Sequence, residues 1–241
     1  MEFNFNSNSY SFKPRPFPLF AFIVALSILL GLSGWQIKRL NWKTDLISQR
    51  IQSFESDPIS FKNLDQPEKN EFRKVLVDGQ LLNEFEMYMP ALSKRGNNGF
   101  HILVPLKTTT GKFIIYDTGW IPLKIKDKQK RLQNIFEKPQ TFEAVIRTSG
   151  RKGYFQPDND VDKNTWFFVE PRLMSKTFSI NFENEYYLEA FKNGPNGFPL
   201  GNQTRIYLRN NHLQYAITWF MIACGLIGVF FFANIKKVKK K

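Results

Sequence analysis

The chain has 241 residues, with 34 Lys and Arg against 21 Asp and Glu and a formal net charge of +13. Five of those positive charges stand in the last six residues, Lys236, Lys237, Lys239, Lys240 and Lys241. No basic stripe interleaved with aromatics appears, so the excess points to anionic lipid headgroups and away from nucleic acid. The single cysteine, Cys224, excludes a disulfide framework, and with only His101 and His212 beside it there is no four-ligand zinc spacing.

From Phe17 to Ile37 no residue carries a formal charge, and the same holds from Leu213 to Ala233. At about 1.5 Å per residue each run is long enough to cross a hydrocarbon core of about 30 Å, so both are expected to be transmembrane helices. The first could be read as a signal peptide, since Lys13 and Arg15 precede it and Gly31-Leu32-Ser33 offers small residues at cleavage spacing. It is too long for an h-region, however, and runs without a polar break into Gln36-Ile37-Lys38-Arg39-Leu40-Asn41-Trp42-Lys43, so it is expected to stay uncleaved. Leu40, Ile47, Ile51 and Phe54 continue the helical spacing until Asp57-Pro58 ends it.

Strands follow. Runs at 74–82, 86–92, 100–106, 113–118, 142–147, 166–169, 186–188 and 205–208 are rich in β-branched and aromatic residues and bounded by Gly, Pro and Asn. Residues 124–132, rich in lysine, read as an exposed helix, and 172–177 as a shorter helix after Pro171. Stretches 94–99, 151–153 and 193–202 read as loops. The expected fold class is a membrane protein of α+β type, with two transmembrane helices flanking one mainly β extramembrane domain, a barrel or a sandwich.

Two spans put both termini on one side, and the basic residues of the tails place that side in the cytoplasm. The expected organisation is an N-terminal tail at 1–16, spans at 17–37 and 213–233, a periplasmic domain at 38–212 and a cytoplasmic lysine-rich tail at 234–241. Counted from the domain-side ends, Ala25 is level with Gly225, Ala21 with Gly228, and Gly34 with Ala216. Small residues at matched depth predict that the spans pack as an antiparallel pair.

The chemistry concentrates where the second span begins. His212, Tyr215 and Trp219 share one helix face, and Trp35, Arg39 and Trp42 follow i, i+4, i+7 spacing at the same level on the first helix. A pocket between them would hold an imidazole for a haem iron, a guanidinium for its propionates and aromatic walls for its macrocycle. The alternative is that these side chains only anchor the helices among headgroups. Elsewhere no serine or cysteine is marked as paired with a histidine, so no catalytic residue is expected. His101 reads as a structurally satisfied strand residue, Cys224 as packing, and Met87 and Met89, which could be soft Cu(I) ligands, as core.

Taken in order, Gly34-Trp35-Gln36-Ile37-Lys38-Arg39 with Trp42-Lys43, Gly119-Trp120-Ile121-Pro122, Phe155-Gln156-Pro157-Asp158-Asn159 followed by Asn164-Thr165-Trp166-Phe167, and the run Asn210-Asn211-His212-Leu213-Gln214-Tyr215-Ala216-Ile217-Thr218-Trp219-Phe220 resemble the Surfeit locus protein family, assembly factors for cytochrome c oxidase. The likeness spans nearly the whole chain. It implies a non-enzymatic inner-membrane protein, with its domain on the periplasmic side, that aids maturation of oxidase subunit I. That subunit and haem a synthase are the implied partners. Several bacterial members are held to bind haem a through the histidine opening the second span, here His212, with Arg39, Trp35, Tyr215 and Trp219 around it. The family usually has Asn-Arg before the Gly-Trp of the second motif, where this chain has Asp117-Thr118. The short leader, with only Lys13 and Arg15 before the span, lacks the Arg-rich stretch of a mitochondrial presequence, and points to a bacterial cell membrane. A chaperone of subunit I that touches no haem and a membrane-tethered periplasmic enzyme remain the rival readings.

Overall fold

The computed structural model describes residues 2–5 and 8–238; Lys239, Lys240 and Lys241 of the basic tail lie outside them. Two short strands, β1 (Glu2–Phe5) and β2 (Asn8–Phe12), precede one unbroken helix, α1 (Pro16–Glu55). Pro16 and Pro18 cost α1 nothing in its first turn, where their missing N–H groups would be unpaired anyway, and no further proline occurs until Pro58. The expected extension beyond the span is therefore the same helix.

Residues Gln49–Tyr207 form a compact β-rich unit. Its strands are β3 (Ile59–Ser60), β4 (Lys74–Leu81), β5 (Met87–Leu92), β6 (Asn98–Thr108), β7 (Phe113–Pro122), β8 (Gln140–Thr148) and, after helix α2 (Pro171–Phe178), β9 (Tyr186–Ala190). Five of them close a ring in the order β4, β8, β9, β7, β6 and back to β4. All pairs in the ring are antiparallel except β7 with β9. The last two turns of α1 belong to this unit, with Phe54 against Phe191 at 5.7 Å between centroids and the Arg50 guanidinium 4.7 Å from the Phe72 ring.

Period-two alternation fills the ring. Val75, Val77, Ile102, Val104, Ile114, Tyr116, Ala144, Ile146 and Leu188 point inward to one core. Their neighbours Leu103 and Ile115, with Met87, make a second core outside the ring, capped by Trp166, Met174 and Phe182. Closure happens on β4, which pairs with β8 over Lys74–Gly79 and then with β6 over Gly79–Leu81. Gly79 is the shared residue. A Cβ there would lie 2.5 Å from the Lys107 carbonyl oxygen and 2.9 Å from Leu106 Cδ1.

Three expected elements differ. Residues 166–169 form no strand: Trp166 is buried, and an isolated bridge, with its N–H donating to the Tyr88 carbonyl of β5 at 2.9 Å, stands in place of a ladder. Side chains replace the ladder, with Asn159 Oδ1 accepting from Phe167 N at 2.7 Å and Phe168 N at 3.3 Å, and Trp166 Nε1 donating to Asn164 Oδ1 at 2.8 Å. Residues 205–208 keep the alternation, Ile206 buried between exposed Arg205 and Tyr207, but pair with no strand. Over 124–132 the chain makes 3-10 turns at Leu123–Ile125 and Lys128–Asn134, broken at Arg131 (φ −140°, ψ 27°). Arg131 is buried, not exposed, because it turns inward to hold both carboxylate oxygens of buried Glu86.

The remaining described residues form a separate unit. Helix α3 (His212–Asn234) leads into strand β10 (Ile235–Val238), which pairs antiparallel with β2, so the expected tails join in a three-stranded sheet that includes Lys236 and Lys237.

Closure through Gly79 predicts that Gly79→Ala costs about 2 kcal/mol by overpacking the β4–β6 seam. Urea unfolding of the detergent-solubilised protein, followed by tryptophan fluorescence, would check this, with Gly153→Ala, where a Cβ would meet nothing closer than 3.4 Å, as the comparison.

Candidate functional site

Both long helices have an 18-residue window of mean hydropathy 2.2, long and apolar enough to cross a membrane. Neither has a polar surface stripe along that stretch: Phe20, Ile23, Ile28, Ile217, Phe220, Met221 and Val229 are all exposed. A helix pair that is apolar on its outside suits lipid and not water.

Each helix covers one narrow face. On α1 the covered positions include Phe22, Leu26, Leu29, Ser33, Gln36, Leu40, Lys43 and Ile47, and on α3 His212, Ala216, Trp219, Ala223, Leu226 and Phe230. Both series step by four and three, the 3.5-residue repeat of a left-handed helix pair. Contacts along it run antiparallel: Asn210 Nδ2 donates to Thr44 Oγ1 at 3.3 Å, Ser33 Oγ to the Ala216 carbonyl at 3.0 Å, and the Phe22 and Phe230 rings stack at 4.0 Å. The antiparallel pair is as expected. Of its expected small residues Ala216 is buried, and Ala223 joins it, whereas a Cβ on Gly34, Gly225 or Gly228 would meet nothing within 4 Å. Those glycines lie off the 3.5-residue seam.

The polar centre of the seam is His212 with Gln36. His212 Nδ1 lies 2.7 Å from Gln36 Oε1, and Gln36 is the one residue of α1 that is fully covered. With the amide oxygen facing the ring, Nδ1 carries the proton and donates, leaving the Nε2 lone pair uncommitted. Imidazoles that ligate metals are commonly held this way, by an acceptor on the other ring nitrogen. Trp219 is half-buried two turns on. Trp35, Trp42 and Tyr215 are each about half exposed, at 55%, 51% and 51%, and Arg39 stacks its guanidinium 4.0 Å from the Trp42 centroid. The structure thus joins His212 to the seam and leaves Trp35, Arg39 and Tyr215 on the outward faces beside it. They do not enclose a cavity with His212.

This arrangement fits a haem at the helix surface. It offers one imidazole nitrogen, one guanidinium that makes no carboxylate pair among the described residues, and uncovered aromatic planes. Gln36 is the residue of this candidate site that sequence reasoning passed over. It stands in the Gly34-to-Arg39 motif, but its role appears only once the helices are paired.

The profile of the SURF1 family matches residues 23–224. The chain is 29% identical to the Surfeit locus protein 1 of Gallus gallus, covering 86% of this chain and 72% of that protein. It is 28% identical to the Surfeit locus protein 1 of Takifugu rubripes, over 87% and 93%. A SURF1-like protein of Rickettsia bellii is 26% identical, over 86% and 87%. The matched region takes in the β-barrel unit and both Gln36 and His212.

The seam predicts that Ser33→Cys with Ala216→Cys, in a Cys224→Ser background, forms an intramolecular disulfide on mild oxidation, read as a gel-mobility shift. Ala21→Cys with Gly228→Cys, at similar depth but off the seam, stays reduced.

Proposed function

This chain belongs to the SURF1 family, and we propose that it is a non-enzymatic assembly factor for cytochrome c oxidase that holds haem a while subunit I is being built. The protein would lie in a bacterial cell membrane with its tails cytoplasmic and its barrel periplasmic. The observation that carries the haem reading is the hydrogen bond from His212 to Gln36, which orients the imidazole and keeps Nε2 available.

In this reading His212 supplies one axial ligand, Arg39 pairs with a propionate, and Trp35, Tyr215 and Trp219 pack along the macrocycle. When bound, haem a would supply the iron porphyrin that the oxidase needs. The chain's own contribution is orientation: Gln36 fixes the ring through Nδ1, and Ala216 and Ala223 let the backbones approach closely enough for that bond to form. A single ligand supplied by the protein suits a carrier that must release its cargo. The basic tails and Trp35 and Trp42 would meet lipid headgroups, while haem a synthase and subunit I are the expected protein partners.

A second reading, a chaperone of subunit I that touches no haem, is favoured by the outward position of Trp35, Arg39 and Tyr215, which suits a protein partner equally well. Difference spectra of membranes separate the two. Cells lacking the protein should lose the a-type haem signal and regain it with the wild-type chain. Under the haem reading His212→Ala does not restore it; full restoration by His212→Ala would leave the chaperone reading. An unchanged signal in the deletion, with no redundant relative present, would sink both. Haem titration of the purified protein adds a graded test, since Gln36→Ala should weaken binding about tenfold while leaving the ligand in place.

A further inference from the structure

Strands β6 and β7 are not in uniform register. His101 pairs with Trp120, but Leu103 pairs with Asp117, so Thr118 and Gly119 stand opposite Ile102 alone. This is a β-bulge. Gly119 takes φ +117°, and a Cβ there would lie 2.3 Å from the Leu200 carbonyl oxygen. Alternation from Ile115 and Tyr116 places Asp117 on the outer face, where His101 stands; the extra residue after it brings Trp120 to that same face, opposite His101, and Ile121 to the interior. Asp117 Oδ2 then meets His101 Nδ1 at 2.6 Å, and its Oδ1 accepts from Gly119 N at 2.9 Å.

Asp117 thereby completes a polar row across the outside of the barrel. Met89 pairs with His101, Asp117 pairs with Glu189, and Arg147 on β8 donates to Glu189 Oε1 at 2.9 Å. Glu189 is further held by Tyr187 Oη at 2.8 Å and Thr204 Oγ1 at 2.5 Å. The row floors a cleft of about 450 Å³, with Lys94 and Arg205 on its rim and Met89, Leu92 and Phe167 as apolar wall.

Both carboxylates in this cleft are spent on internal partners, and Arg147 is tied to Glu189 and to Glu71, itself offset by Arg151, but no described residue engages Lys94 or Arg205. Arg205 and Lys94 make no hydrogen bond or ion pair among the described residues, and the buried Arg147 Nε has no hydrogen-bond acceptor, lying 3.6 Å from Glu71 Oε1. Lys94, Arg147 and Arg205 against Asp117 and Glu189 leave one positive charge uncompensated even with His101 neutral. Asp117 engages Nδ1, so His101 has Nε2 as its free ring nitrogen, with the Met89 thioether on the paired strand. The surplus positive charge opposes a cation there, and among the described residues no three His, Cys, Asp or Glu side chains cluster.

We infer that this cleft is a second binding site, distinct from the His212 seam, for a carboxylate carried on a partly apolar body, received by His101 and Arg205. One negative charge matches the surplus, the two oxygens match the guanidinium fork, and the apolar wall takes the rest of the ligand. Burial lowers the proton affinity of His101, but the charge and hydrogen bond of Asp117, with Glu189 behind it, outweigh burial and the opposing Arg205, so its pKa is raised. The stability this gives is complete below the ordinary histidine pKa of about 6.5 and is lost as pH rises through the raised value. A bound carboxylate raises it further.

The test uses the full chain in phosphatidylcholine nanodiscs with ¹⁵N-labelled histidine. The chain has 2 histidines, so His212→Gln assigns the ring signals. Hexanoate should shift the His101 ring signals saturably and move their titration to higher pH, while the neutral isostere hexanamide leaves them in place. Arg205→Gln, at an exposed position that should leave the fold intact, should weaken hexanoate at least about tenfold. Three results would each overturn the inference: an equal response to hexanamide, unchanged hexanoate affinity in Arg205→Gln, or inorganic phosphate displacing hexanoate at lower concentration.

Discussion

A barrel ring must close, and here the closure is carried by one strand that changes partner at one residue. β4 leaves β8 and joins β6 at Gly79, where there is no room for a Cβ. Because the ring closes there, every strand in it has a neighbour on both sides, and the backbone groups that an open sheet would expose are paired. The inward alternation of Val75, Val77, Val104, Tyr116 and Ile146 then has a defined interior to fill. The outward residues acquire a second role, as a surface on which α2 and the segment around Trp166 can be laid.

That covering layer shows how irregular chain is kept in place without a ladder. Asn159 and Asn164 act as local backbone substitutes, accepting from or donating to main-chain and indole groups that a strand would have paired. The buried Arg131 and Glu86 do the same across a longer span of sequence, with Tyr88 Oη donating to the carboxylate at 3.2 Å and Arg131 Nε to the Ile125 carbonyl at 3.1 Å. Each of these polar side chains is hydrogen-bonded where it is taken out of water, which is the condition for burying it at all. Removing one member of such a set leaves the others stranded, so these contacts define a single arrangement more than they add stability.

The two histidines illustrate one design in different surroundings. Each has Nδ1 engaged by a side-chain oxygen from a neighbouring element, Gln36 for His212 and Asp117 for His101, and each therefore has Nε2 free. The acceptors differ in charge. A neutral amide beside His212 suits the flank of two apolar helices, where an uncompensated carboxylate would be costly. A carboxylate beside His101 favours the protonated ring and a site with anionic preference. Neither the helix seam nor the barrel wall alone produces these pairs; both depend on a register between non-adjacent segments.

Much of this protein is legible in its sequence because it follows from local periodicity. The two apolar runs, the unbroken α1, the alternating strands from Lys74 to Thr148 and the helix after Pro171 repeat with the period of the element they form, and His212 stands where a span begins. Single-sequence reasoning has no access to pairings set by distance in the chain. It read residues 124–132 as an exposed helix because the stretch is rich in lysine, although Glu86 draws Arg131 inward. It matched glycines by depth, although the seam selects Ala216 and Ala223 by rotation about the helix axis. It left Gln36 unassigned and read His101 as an ordinary strand residue, because their partners lie on other elements. Composition and period determined which segments are helix, strand and membrane span; only the tertiary structure decided which faces meet, since one bulge or one turn of helix phase moves a side chain from one environment to another at no cost that local sequence records.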